Sequence, residues 1–349
     1  MQIEFTNTIQ NAGQFPASII KTQPRISLRS CHFFGANFPA ENVTTYSRAR
    51  YALSAAASFL KTAGKKNTIL LPAYHCPALV EPFMHAGYDI VFYPQLQDLS
   101  SDLNVFNQLL NNSITHVLVV RFFGFSQNAE QLITLAHSAG KKVIEDNAHS
   151  MIHFLQTCNS KRTDVAASVS SISKTLGTAD GGVLYLPGFS GSCQQPDLKS
   201  ELKAWLSGQR YIKSSRGATE FRYFKPEIQH QDCLRSSRWL MIKANYLAIR
   251  HKRRENFGFL ASKLKDSSTG RLLYPKLQDD DVPYVVPFLL NDSKTFEKLR
   301  QHQVQVLRWE EIAQPLSAEN CSFRENLVQI PVHQQLSNVN LKKLVDLLV

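Results

Sequence analysis

The sequence predicts an α/β protein: a large domain built on a mostly parallel, mixed sheet sandwiched by helices, followed by a smaller C-terminal α+β domain. Three observations lead there. Short apolar runs alternate with helix-like segments from position 48 to about 186. Most of these runs are apolar throughout rather than alternating with polar residues, as in strands covered on both faces. Beyond residue 231 the alternation stops, and a long helical stretch with a few isolated strand-like runs replaces it.

Taken in order, residues 51–63 (YALSAAASFLKTA) join high helix propensity to an apolar stripe. A strand over 68–71 closes at Pro72, and 77–87 reads as a helix ended by glycine, with the next strand over 90–93. Residues 103–110 read as a helix, 116–123 (HVLVVRFF) as a buried strand, and 129–139 as a helix closed by Gly140. Strands follow over 142–145, ending at Asp146, and over 165–172 and 183–186. The stretch 187–217 lacks periodicity and reads as a loop or flap. The second part holds one long helix over 236–264, strands over 284–290 and 304–307 with a helix at 293–302 between them, and a closing helix over 338–348. The expected division is therefore 1–230 for the large domain, N-terminal segment included, and 231–349 for the small one.

Composition is compatible with this reading. The 349 residues are 43% apolar and 19% charged, an ordinary globular balance that excludes disordered and collagen-like classes. The six cysteines show no CxxC pair or metal-ligand spacing and read as reduced thiols. The opening residues carry no apolar block, and no apolar run approaches the roughly 20 residues of a membrane span, so a soluble cytoplasmic protein is expected, with no membrane insertion. Lys and Arg outnumber Asp and Glu by 39 to 28, for a net charge of +11, partly clustered at 199–222 and 251–256. Solvated helix faces account for most such runs. The functional alternatives are an anionic substrate, a membrane surface or nucleic acid, the last the weakest, since no nucleic-acid-binding motif accompanies the charge.

Two segments carry chemistry. In VIEDNAHS an apolar strand delivers Asp146 at its carboxyl end and His149 three residues later; in SSISKTLGTADGG, Lys174 lies between small hydroxyl residues and a Gly-rich turn. Ligands of open α/β sheets sit outside the carboxyl ends of strands. A lysine and a carboxylate placed there suit pyridoxal phosphate (PLP): the amine forms a Schiff base, and the acid pairs with the protonated pyridine nitrogen so that the ring can accept electrons. Set against this, Asp146 could simply cap a helix, and a lysine among serines is ordinarily a surface residue. Asp146, His149 and His153 could imitate a metal site, but no further ligand cluster accompanies them, so no metal is expected.

The succession LPAYHC, VEP, FFGF, VIEDNAHS, SISKTLGTADGG and IPVHQQLS resembles the DegT-type sugar aminotransferases, PLP enzymes of fold type I in the aspartate aminotransferase superfamily. The resemblance runs from about residue 47 to the carboxyl terminus. It implies that Lys174 is the Schiff-base lysine and later the proton carrier, and that Asp146 holds the pyridinium proton. It places His149, where most relatives have Gln, near the phenolic oxygen, and it puts the phosphate on the Ser171 hydroxyl and the backbone N–H groups of Arg48 and Ala49. The chain departs from the family in three places. Ser47-Arg48-Ala49 stands where relatives have a Gly-Thr or Gly-Ser pair. Cys76 aligns with the aromatic residue that stacks on the pyridine ring, leaving His75 or Tyr74 as candidates for that role. The Asn-Tyr-Arg loop given across the dimer interface is not recognisable. Arg308-Trp309 could bind a substrate carboxylate or phosphate, or simply pack at a strand end. The activity implied is amino transfer from an amino acid, L-glutamate in most relatives, to a keto-sugar linked to a nucleotide, in a homodimer. The alternatives are a PLP-dependent sugar dehydratase, whose members carry His in place of the lysine, and a catalytically idle PLP-binding regulator or scaffold.

Overall fold

The strand-forming runs between residues 43 and 185 assemble into one seven-stranded sheet. The computed structural model describes residues 3–9, 15–28, 31, 38, 41–207, 221–313 and 317–349. Its first part runs β1 (Val43–Tyr46), α1 (Ala49–Leu60), β2 (Thr68–Pro72), α2 (Pro77–His85), β3 (Asp89–Tyr93), α3 (Leu103–Leu109), β4 (His116–Val120) and α4 (Ala129–Ser138). It continues with β5 (Lys142–Asn147), α5 (Met151–Ser160), β6 (Ala167–Ser171), α6 (Ile172–Leu176) and β7 (Gly182–Tyr185).

The sheet order is β1-β7-β6-β5-β4-β2-β3, parallel from β6 to β3, with β7 and β1 joined antiparallel. Apolar residues on successive strand positions explain why both faces are covered. Ile69 and Leu71 face one way, into a core with Ala52, Ala56 and Leu60 of α1. Leu70 faces the other way, with Val117, Val119 and Val143, against Phe106 of α3 and Ile133 of α4. The chain leaves β2 for β3 on one side and returns to β4 on the other. A crevice must therefore open at the carboxyl ends of β2 and β4.

The remaining elements are α7 (Leu198–Ser207), α8 (Arg235–Lys243), α9 (Tyr246–Leu264), β8 (Gly270–Leu272), β9 (Val285–Leu290), α10 (Ser293–Gln301), α11 (Ala318–Asn326), β10 (Leu327–Pro331) and α12 (Asn338–Leu348). Here β10, β9 and β8 form a separate antiparallel sheet, and α12 packs on α9. The N-terminal stretch reaches across to this part: Phe5 bridges Ala313, Ile20 bridges Val304, and the Thr6 hydroxyl donates to the Glu310 carbonyl at 2.7 Å. Among the described residues no helix is long and apolar enough to cross a membrane.

Several local expectations change. The single helix expected over 236–264 is two. Ala244 takes extended backbone angles and bridges Cys31, and the Asn245 side chain accepts from the Ala248 N–H as the cap of a fresh helix. Residues 304–307 form only isolated bridges, at Val304 and Leu307. The apolar run 116–123 leaves the sheet at Val120, because Phe123 takes a left-handed backbone (φ +58°). Helix α7 lies within the stretch read as a loop or flap, whose residues 208–217 fall outside the described residues.

Candidate active site

The crevice required by the strand order is present as a cavity of about 160 Å³. Each carboxyl end contributes to its wall: β2 gives His75 and Cys76, β4 gives Arg121 and Phe122, β5 gives Asp146 and His149, and β6 with α6 gives Ser171, Ser173 and Lys174. The start of α1 adds Arg48, Ala49 and Arg50, and Trp309 reaches in from the C-terminal part. A larger open groove of about 1430 Å³ runs along the sheet-edge strand β3. Lysines and Asp89 line it, but it holds none of these strand-end groups.

Asp146 and Lys174 share the cavity. Asp146 is buried, and its Oδ1 accepts the Ala148 N–H at 2.7 Å in the turn before α5; the cap position of that helix is Ser150, so Asp146 does not cap it as the sequence allowed. Burial pushes its carboxyl above the ordinary carboxylate range, and the nearby Lys174 ammonium and the Ala148 N–H pull the other way. Burial outweighs the Lys174 cation here, and a cationic ring nitrogen beside the carboxylate would offset it further. Behind it, the fully buried Glu145 pairs with Arg121 at 2.8 Å and accepts from the Thr157 hydroxyl at 2.8 Å.

His149 is held as a neutral ring of defined tautomer. It lies between Phe123 (centroids 5.5 Å apart, 12° between planes) and Tyr284 (4.7 Å, 8°). The Phe123 N–H donates to its Nδ1 at 3.2 Å, which leaves the ring's proton on Nε2 as a donor. Burial first, then the Lys174 cation, hold its pKa well below the ordinary histidine value. The left-handed turn at Phe123-Gly124 makes this stack possible, and the backbone of 282–284 locks it. Tyr284 N–H donates to the Phe123 carbonyl at 2.7 Å, and a Cβ on Gly124 would lie 2.1 Å from the Val282 oxygen.

The other end of the cavity is built for an anion. Helix α1 opens there with no side chain capping it, and Ser171 and Ser173, whose hydroxyls lie 3.3 Å apart, line the same cavity. A Cβ on Gly182 would lie 2.2 Å from the Arg48 carbonyl carbon and 2.3 Å from the Ala49 nitrogen, so only glycine lets β7 press this close to the helix start. The Ser47 hydroxyl beside it is buried with no partner among the described residues.

The structure treats the other sequence candidates differently. Tyr74 is sealed among Phe122, Trp309 and Phe323 and does not line the cavity. His75 lines it, but its ring stacks on Phe92 (5.2 Å, 8°), its Nδ1 lies 3.0 Å from the Pro72 carbonyl, and its Nε2 accepts from Ala313 N–H. Cys76 is the N-cap of α2. Arg308 turns away to Glu310 and the Glu325 carbonyl, leaving Trp309 at the cavity. His153 is held by Ser126 and Ser150, and among the described residues no cluster of metal-ligating side chains occurs. Sequence reasoning gave no role to Arg121, Phe123 or Tyr284. The FFGF motif marked the first two regions; for Tyr284 there was no local signal.

An amine, a buried carboxylate, an Nε2–H donor and an anion cradle converge on one cavity, and this donor set fits PLP. Residues 31–187 match the profile of the DegT/DnrJ/EryC1/StrS aminotransferase family. No curated protein sequence matches the chain. Among solved structures, the sugar aminotransferase CalS13 from Micromonospora echinospora is 15% identical, covering 88% of this chain and 86% of its own, with a TM-score of 0.61. Helicobacter pylori PseC, an aminotransferase of pseudaminic acid biosynthesis, is 17% identical, covering 87% and 85%, with a TM-score of 0.63. The putative sugar aminotransferase Spr1654 from Streptococcus pneumoniae, in its PMP form, is 13% identical over 87% and 86%, with a TM-score of 0.62. Residues 31–187 are thus similar to the DegT/DnrJ/EryC1/StrS aminotransferase family, and the chain shares the fold of these solved aminotransferases.

Proposed function

We propose that this chain moves an amino group from L-glutamate to a keto-sugar carried on a nucleoside diphosphate, in a ping-pong cycle at the Lys174–Asp146 cavity. The observation that carries the reading is the convergence of Lys174, Asp146 and the anion cradle on one buried cleft. When bound, PLP supplies the electron sink for a carbanion at the donor's α-carbon. Lys174 would hold the cofactor and, with its amine free, would carry the proton at the donor's α-carbon. Asp146 would keep the pyridine nitrogen protonated, and His149 would donate from Nε2 to the phenolic oxygen. The Ser171 hydroxyl and the N–H groups of Arg48 and Ala49 would hold the phosphate. The net charge of +11 is compatible with a diphosphate-bearing acceptor. A homodimer located in the cytoplasm, and a division of each chain near residue 230, belong to the same proposal. The change there from the seven-stranded sheet to a separate three-stranded one supports the division.

The test is a pair of half-reactions on PLP-loaded protein. L-glutamate should bleach the visible absorbance, a keto-sugar nucleotide should restore it, and Lys174→Ala should abolish the borohydride-reducible band. No bleaching by glutamate, or a reducible band that survives Lys174→Ala, overturns the proposal.

A further inference from the structure

Arg253 of α9 is among the largest side chains sealed in the interior, 2% exposed, and no carboxylate pairs with it among the described residues. All its hydrogen bonds go to neutral oxygens. Its Nε donates to Gln334 Oε1 at 3.0 Å, its Nη1 to the Pro283 and Tyr284 carbonyls at 3.2 and 3.5 Å, and its Nη2 to the Lys174 and Thr175 carbonyls, both at 3.3 Å. Gln334 Nε2 adds a second donor to the Thr175 carbonyl at 3.0 Å. These contacts answer a local need. Helix α6 has only five residues, so its last carbonyls have no acceptable partners inside the helix and must find donors elsewhere. Arg253 therefore ties the backbone of the lysine turn to the segment that presents Tyr284, the ring stacked on His149.

Burying an unpaired guanidinium is costly, and burial lowers its pKa to about 10, so it stays charged at neutral pH. Its Cζ and the Lys174 Nζ each lie 5.9 Å from the centre of the Tyr284 ring, and the two cations are thus no more than about 12 Å apart. We propose that Arg253 is a positioning residue for Lys174: it clamps the lysine turn against the Tyr284 segment, and its unpaired charge disposes the lysine nitrogen, once joined to the cofactor, to give up its proton. This rests on the Lys174 reading above. The other groups around the pair are Asp146, which favours the protonated nitrogen, the Tyr284 phenol, His149 and His333, both neutral through burial, and the cations Arg48, Arg50 and Arg121 on the same cavity wall, which are common to wild type and variants. From α8, Arg238 is already paired with Asp232.

At the effective dielectric of a protein interior, a cation at this separation lowers the proton affinity of the lysine–cofactor linkage by about one pH unit. The experiment titrates the visible absorbance of the PLP-loaded protein against pH. Arg253→Met should raise the midpoint by about one unit. Gln334→Glu, which sets a carboxylate on the guanidinium, should also raise it. Gln334→Met, which removes both Gln334 bonds and adds no charge, should leave it in place. A purely structural clamp would move Gln334→Met at least as far as Gln334→Glu, which keeps the acceptor for Arg253 Nε. That result, or a midpoint unmoved in both Arg253→Met and Gln334→Glu, overturns the inference; if Arg253→Met does not fold, the Gln334 pair decides. Borohydride labelling of the wild type separates the two levels. Label on another lysine overturns the Lys174 reading together with this inference, whereas label on Lys174 with unmoved midpoints overturns the inference alone.

Discussion

Replacing Gly182 with alanine probes the anion cradle directly. The added Cβ would sit 2.2 Å from the Arg48 carbonyl carbon and 2.3 Å from the Ala49 nitrogen, where ordinary contact begins at 3.4 Å. Both neighbours are backbone and cannot swing aside, so the start of α1 must retreat by about 1 Å. Overpacking of this kind costs roughly 1–3 kcal/mol. A chain of 349 residues has an unfolding entropy of about 0.7 kcal/mol/K, so Tm should fall by only about 1–4 °C. The cofactor should feel it more. Hydrogen bonds to a charged group contribute roughly 1.5–3 kcal/mol each, and misaiming even two weak ones loses about 3 kcal/mol, on the order of 100-fold in PLP affinity. The assay is equilibrium PLP binding beside calorimetric Tm. The control is Gly258→Ala, in α9, where a Cβ meets nothing within 4 Å and affinity should not change. PLP affinity within twofold of wild type in Gly182→Ala would refute the idea that the start of α1 grips the phosphate.

Two further perturbations test the frame around the cavity. Glu145→Gln leaves the buried Arg121 without its interior carboxylate; the expected loss is about 3–5 kcal/mol, read as a Tm drop of roughly 4–7 °C, and a drop under 1 °C would show that Glu130 alone suffices. Asp180 accepts from the Ser237 hydroxyl at 2.6 Å and the Leu234 N–H, yet burial outweighs these bonds and raises its pKa to about 6. An acid whose folded pKa is raised binds more protons in the native state, so its contribution is full below the unfolded value of 3.8 and is lost as pH rises to about 6. Urea titrations should show wild type losing up to about 3 kcal/mol relative to Asp180→Asn across that window, and parallel pH profiles would refute the assignment.

Much of the framework was legible in local sequence. Residues such as Ile69, Leu70 and Leu71 are apolar on successive positions because both sheet faces are covered, and that pattern alone announces parallel strands between helices. The rule that ligands gather at strand carboxyl ends singled out the segments of Asp146 and Lys174, and the fold brings both to one cavity. Where a few polar contacts outweigh periodicity, the reading broke down. Asn245 starts a new helix inside an unbroken helical pattern, and the strand ends at Val120 although Phe122 and Phe123 extend the apolar run beyond Arg121.

By itself, then, the sequence determined the layered α/β class, the order of the elements and the presence of a lysine and an acid at strand ends, because each of these is written in spacings of a few residues. Only the tertiary structure decided that Trp309 completes the cavity wall, that Tyr284 stacks on His149, that Tyr74 is withdrawn from the cavity, and that Arg253 supports the turn carrying Lys174. Those contacts join residues far apart in the chain, and they exist because β4 inserts between β2 and β5 and the C-terminal part packs over the resulting crevice. No local periodicity encodes such a meeting; it follows from how the whole sheet closes its apolar surfaces.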